Sequence, residues 1–147
     1  RRPGEVHGVN YHFVGVEEFD SLRGRGELLE WAEYNSNFYG TPAVPVFNAL
    51  SSGKSVLLEI EVQGALQIRR HAPGALFVFI RTPTFRVLEE RLRGRGTEPD
   101  GVIFRRLRKA REELAEAHWY DVQLVNDDFD RCVEDFVKVL QDYGCGG

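Results

Sequence analysis

The chain has no methionine and only two cysteines in 147 residues. Cys132 falls in a helical pattern and Cys145 in a glycine-rich tail, so the pair makes neither a disulfide framework nor a metal cluster and fits a reducing cytoplasm. The missing methionine reads as a segment of something longer or a processed chain. No apolar run approaches the roughly 18 residues that a membrane span needs, and no signal peptide opens the sequence. An excess of positive charge is also lacking. A net charge of −4 and a pI near 5.6 argue against a bulk nucleic-acid binder and leave only local basic patches. There is no internal repeat and no low-complexity run.

What is present is ordinary for one globular domain with a core: 42% hydrophobic and 12% aromatic residues. The chain is organised around Lys54–Gly64, KSVLLEIEVQG. Ser55–Ile60 is a near-continuous Val/Leu/Ile run, the pattern of a strand buried on both faces of a parallel sheet. Glu59 and Glu61 close it. Two residues apart on a strand they project to one side, and in open α/β sheets the ligand crevice lies beyond the carboxyl ends of the strands. The plain alternative is two charges marking the exit into solvent.

The remaining pattern predicts a loop over residues 1–10, a brief aromatic strand at Tyr11–Val14 and a short helix from Glu17 to Leu22. LLEWAEY (Leu28–Tyr34) follows as a strand and NSNFYGT (Asn35–Thr41) as a turn-rich loop. Further on come a weak helix at Pro42–Leu50, a helix at Val62–His71 and an apolar strand at Ala75–Arg81. Thr84 and Asp100 are set to cap two helices running to about Arg93 and Trp119. A strand at Val122–Val125 then leads to a helix capped by Asp128, with Phe129, Val133, Phe136, Val137 and Leu140 on one face. Strand, helix, strand, helix, helix, strand, helix is the grammar of a parallel α/β sheet. The part up to Tyr39 cannot bury a core alone and reads as an insertion carrying a binding site.

SSGKS at Ser51–Ser55 imitates the tail of a phosphate-binding loop, GxxxxGK[ST]. Asn48 stands where the first glycine belongs, and a helix precedes the motif where a strand should. Gly53 is therefore read as a helix stop. Three other sets carry candidate chemistry. Tyr11, Glu30, Tyr39 and Thr41, with Arg2 upstream, offer hydroxyls and a guanidinium for phosphate oxygens and a carboxylate for a pair of N–H donors such as a guanine edge. The alternative is a core tyrosine, a rim tyrosine and an exposed glutamate. Arg91, Arg93, Arg95, Arg105, Arg106, Arg108 and Arg111 flank the connector GRGTEPDG, a hairpin able to fold over phosphates. Glu89, Glu90, Glu112, Glu113 and Glu116 make a salt-bridged surface the competing reading. Asn126 ends the last strand, in reach of a nucleotide or merely part of a loop.

Taken in order, RPGEVHGVNYHF, LLEWAEYNSNFYGT, VLLEIEVQGA, RLRGRGT and LVNDD resemble guanylate kinase over nearly the whole chain. The resemblance implies an α/β fold of the P-loop kinase type. That fold is a three-layer parallel sheet with a small mixed GMP-binding segment (residues 1–41) and a core (residues 42–147) bearing a helical lid at about 91–106. It implies transfer of the γ-phosphate of ATP to GMP, with Mg²⁺. By position, Arg2, Tyr11 and Tyr39 would hold the GMP phosphate, and Glu30 and Thr41 would read guanine. Arg91, Arg95 and Arg106 would steady the transferring phosphoryl group, and Asn126 would lie on the adenine side. Glu59 and Glu61 stand where the family often has Asp. The family's first strand, glycine-rich P-loop and first helix do not appear in the sequence, so the chain as it stands is expected to turn over negligibly, and an unpaired sheet edge to favour self-association. The alternatives are a guanylate-kinase-like interaction module and a non-catalytic remnant.

Overall fold

A computed structural model describes residues 4–34, 36–94, 96 and 99–144. Within them the contacts form two compact units, Arg1–Pro73 and Gly74–Gly147.

In the first unit, α1 (Val16–Gly24) buries Phe19 and leads into β1 (Leu28–Tyr34). β1 alternates as its sequence predicts, with Glu30 and Ala32 pointing inward. It pairs antiparallel with β2 (Asn37–Pro42), a segment whose Asn, Ser and Gly content predicts a loop. Pairing overrides that composition: Ser36 takes a left-handed backbone (φ 61°), and Tyr34 then faces Asn37 across a tight turn. The register runs evenly from the tip to Glu30↔Thr41 and then slips by one residue, so that Leu28 faces Pro42. That slip is a β-bulge on β1.

The two faces of this hairpin differ. One presents Trp31, Phe38 and Gly40 to α1, where Phe19 stacks on Phe38 with ring centroids 5.5 Å apart. Gly40 is required here, because a methyl group on it would stand 3.0 Å from Leu28 Cδ1 and 3.1 Å from the Glu30 carbonyl. The other face carries Glu30, Ala32, Tyr39 and Thr41. α2 (Ala43–Ser51) and α3 (Val62–His71) also lie against β1, which extends the unit to Pro73, well past Thr41.

Gly53 does end α2. With φ at 77° it donates to the Leu50 carbonyl, and Lys54 N–H reaches back to Ala49 O at 3.1 Å. This pair of helix-terminating hydrogen bonds occupies the Gly53 and Lys54 amides, which a phosphate-binding loop would turn toward the anion. Two expected strands are absent among the described residues. Tyr11–Val14 reduces to one bridge, His7↔Tyr11, because Gly8 and the Asn10 side chain fold this stretch into turns. Ser55–Ile60 joins no ladder, and Leu57 is 72% exposed. Apolar content alone cannot make a strand without a partner for its backbone groups.

The second unit pairs β3 (Val78–Arg81) in parallel with β4 (Val122–Val125). The crossover between them is a helical hairpin of α4 (Phe85–Gly94) and α5 (Asp100–Glu116), extended by a 3₁₀ turn at Ala117–Trp119. Leu92, Ile103 and Leu107 close the hairpin, with Phe85 and Leu88 packed around them. Thr84 caps α4 through its hydroxyl, which accepts from Val87 N–H at 3.2 Å. Asp100 is not a cap. Pro99 takes that position, and Asp100 becomes the first helical residue, bonded to Arg93. Asp128 caps α6 (Phe129–Asp142) as expected, accepting from Arg131 N–H at 2.9 Å. The face of α6 expected to be buried is largely open. Phe129, Val133 and Val137 are exposed, whereas Cys132 is buried.

Among the described residues no helix is long and apolar enough to cross a membrane.

Candidate functional site

The hairpin of the first unit gathers Glu30, Thr41, Tyr39 and Tyr11. Glu30 and Thr41 are cross-strand partners, and the Thr41 hydroxyl donates to Glu30 Oε1 at 2.6 Å. Tyr39 lies two residues from Thr41 on β2, so both share the face. Tyr11 meets Tyr39 edge-on, with centroids 5.9 Å apart. Glu30 is 4% exposed, the one buried charged residue among those described. Burial pushes its carboxyl above the usual carboxylate range, and the hydroxyl and backbone bonds from Thr41 offset only part of that. A desolvated acceptor with unused lone pairs is a costly feature in a core and a useful one in a site that must recognise N–H donors.

α3 brings its own contribution. Glu61 is its N-cap residue, half-buried, and three residues on Gly64 lies directly against the Glu30 side chain. Glu59 is exposed in the stretch that precedes the helix. Glu59 and Glu61 therefore do not leave a strand side by side as the sequence pattern predicts: Glu61 is tied to the start of α3 and Glu59 is not. Sequence reasoning passed over Gly64, Gln63 and Gln67. Gln67 accepts from Trp31 N–H at 3.2 Å and donates to Trp31 O at 2.6 Å, while Gln63 accepts from Glu33 N–H at 3.3 Å. The only sequence signal was a pair of glutamines at i and i+4, which share a helix face.

In the second unit, Arg91 forks onto the turn after β4, donating to Asn126 O at 2.7 Å and to Asp127 O at 3.0 Å. Asn126 N–H in turn bonds Arg81 O at the end of β3. Arg91 and Asn126, 35 positions apart, thus meet at the carboxyl end of the parallel pair. Arg106 is half-buried on α5. Arg93 is committed to Glu89 and Asp100, which hold its guanidinium above its usual range. Arg2 and Arg95 lie outside the described residues.

In the first unit a buried acceptor bonded by a hydroxyl shares a hairpin face with Tyr39, and in the second an arginine-bearing helical crossover joins a parallel pair of strands; together these elements define the class, an α/β protein. Residues 1–143 match the family model described as guanylate kinase. The chain is 44% identical over 140 residues to a guanylate kinase of Carboxydothermus hydrogenoformans, covering 95% of this chain and 69% of that protein. It is 50% identical over 139 residues to a guanylate kinase of Synechocystis sp., covering 95% and 73% respectively. The crystal structure of guanylate kinase from Anaplasma phagocytophilum superposes with a TM-score of 0.82 at 31% identity, covering 97% of this chain and 69% of that one. The chain belongs to the guanylate kinase family. Its fold is of the P-loop kinase type.

Proposed function

We propose that this chain serves the transfer of the γ-phosphate of ATP to GMP, giving GDP and ADP. The observation that carries the reading is the buried Glu30 carboxylate, bonded by Thr41 on the face it shares with Tyr39. An ionised carboxylate only accepts, so it pairs with the N1–H and N2–H donors of guanine and repels adenine, whose N1 is itself an acceptor. Tyr39 and Tyr11, with Arg2, hold the GMP phosphate. Glu61, at the start of α3, supports the base-reading edge, and Glu59 is the weaker member of that pair.

Phosphoryl transfer asks for positioning and charge neutralisation rather than covalent help from the protein. Arg91, Arg95 and Arg106 supply positive charge to the transferring group. Arg91 must give up its carbonyl partners to do so, and Asn126 serves the adenine side. Mg²⁺, when bound, would supply positive charge to the phosphates. Among the described residues no three carboxylate, imidazole or thiolate groups converge as a metal cage, and Mg²⁺ is usually held through one or two carboxylates and the substrate phosphates. Cytoplasmic residence, where both nucleotides and reduced thiols are available, completes the reading.

Calorimetric titration of the chain with GMP and with AMP tests the base-reading half directly, since that half lies within the first unit and does not depend on turnover. Selective GMP binding is expected. Equal affinity for the two nucleotides, or no binding of either, overturns the proposal.

A further inference from the structure

We infer that α3 is the device that sets the position of the Glu30 carboxylate: Gly64 is a notch that admits it, and Gln67 and Gln63 fasten the strand that carries it. The inference rests on the base-reading role of Glu30 proposed above and names the residues that make it work.

Gly64 is the third residue of α3, and its backbone is ordinary helix, so no left-handed conformation calls for glycine there. Glycine in a helix costs about 1 kcal/mol relative to alanine. The neighbour explains it. A methyl group on Gly64 would overlap Glu30 Oε2 outright and stand 3.0 Å from Cδ. These atoms belong to the charged end of the side chain, whose other oxygen is held by Thr41, so moving the carboxylate aside strains that bond. The notch also puts the carboxylate beside the first turn of α3.

The glutamines solve a second problem. β1 pairs with β2 along one edge and leaves the backbone groups of Trp31 and Glu33 on the other. Gln67 satisfies both groups of Trp31, as a neighbouring strand would, and Gln63 takes Glu33 N–H. The spacing matches: two residues along a strand advance about 6.7 Å, and four along a helix about 6 Å. The residue next to Glu30 in sequence is thereby pinned to the helix that bears the notch. Gly64 and Gln67 are positioning residues; they act on the ligand through Glu30.

Calorimetry and thermal unfolding on the chain test this. Gly64→Ala is expected to weaken GMP binding by roughly tenfold or more while AMP binding stays within about twofold, a change of selectivity that a merely destabilising substitution does not produce. Gln67→Met, which removes both bonds to Trp31, is expected to weaken GMP selectively by about fivefold. The unfolding-temperature loss caused by Gly64→Ala should vanish when combined with Glu30→Asp, whose carboxylate sits one methylene further back, and persist with Glu30→Gln, which keeps the length. If Gly64→Ala alone fails to fold, the same pair decides: Glu30→Asp restoring the fold supports the notch. Wild-type GMP selectivity retained in Gly64→Ala, or equal losses in both combinations, overturns it. Absence of selectivity in the wild-type chain instead overturns the base-reading role itself.

Discussion

The base-reading hairpin and the helical crossover handle charge in opposite ways. In the hairpin one carboxylate is buried, bonded by a neutral hydroxyl and hemmed in by a glycine. In the crossover the charges are exposed and paired with each other, as in Arg93 with Glu89 and Asp100, or Arg86 with Glu90. Desolvation makes each hydrogen bond to Glu30 count, and in the proposed role it would penalise the wrong base. Exposure keeps ion pairs weak and exchangeable. Under the proposed function, selectivity falls to the buried region and charge neutralisation to the exposed one.

The comparison is broken most severely at Glu30. Glu30→Ala is expected to cost roughly a hundredfold in the ratio of GMP to AMP affinity, measured by calorimetry, because the N–H pair loses its charged acceptor. Unchanged discrimination would remove Glu30 from that role. Next comes Arg91, the crossover residue most deeply engaged with backbone. Arg91→Ala should lower stability by about 1 kcal/mol in denaturant titration, by loss of two charge-assisted bonds to the turn after β4.

Similar in size and opposite in sign is Glu30→Gln. Burial raises the folded-state pKa of Glu30 above its unfolded value, so the favourable contribution of this carboxyl exists at acid pH and is lost as pH rises through the folded value. At neutral pH the neutral amide should therefore stabilise the chain by about 1 kcal/mol, or about 3 °C in melting temperature, while abolishing guanine preference. Below the ordinary glutamate pKa of about 4.3 the gain should disappear. A melt at both pH values checks the sign. The smallest effect belongs to Arg93→Ala, whose exposed ion pairs predict a melting temperature within about one degree of wild type, with any difference vanishing at high salt.

Local signals were legible where partners were local. Asp128 announced its helix because a cap and its amide lie three residues apart, and Gly53 announced a stop for the same reason. β1 was readable from alternation. β2 was not, since its Asn–Phe–Tyr–Gly composition favours a loop until β1 supplies a ladder. Ser55–Ile60 failed in the reverse direction, apolar enough for a strand but unpaired among the described residues. Of the site, Glu30, Thr41, Tyr39 and Tyr11 could be named from motifs; the structure puts the first three on one hairpin face and Tyr11 against Tyr39. Gly64 and Gln67 could not, because their partners lie more than thirty positions away and glycine in a helix signals only a deficit.

The bulge at Leu28–Glu30 has a consequence for grafting. The hairpin counts its register from the tip, whereas Ala43 N–H anchors to Glu27 O at the base. One surplus residue between these frames lets each keep its own count. Side-chain orientation along the hairpin is therefore decided from its tip, and a graft of it between relatives would have to carry α1 and α3 along, since Phe38 stacks on Phe19 and Gln67 and Gln63 hold Trp31 and Glu33.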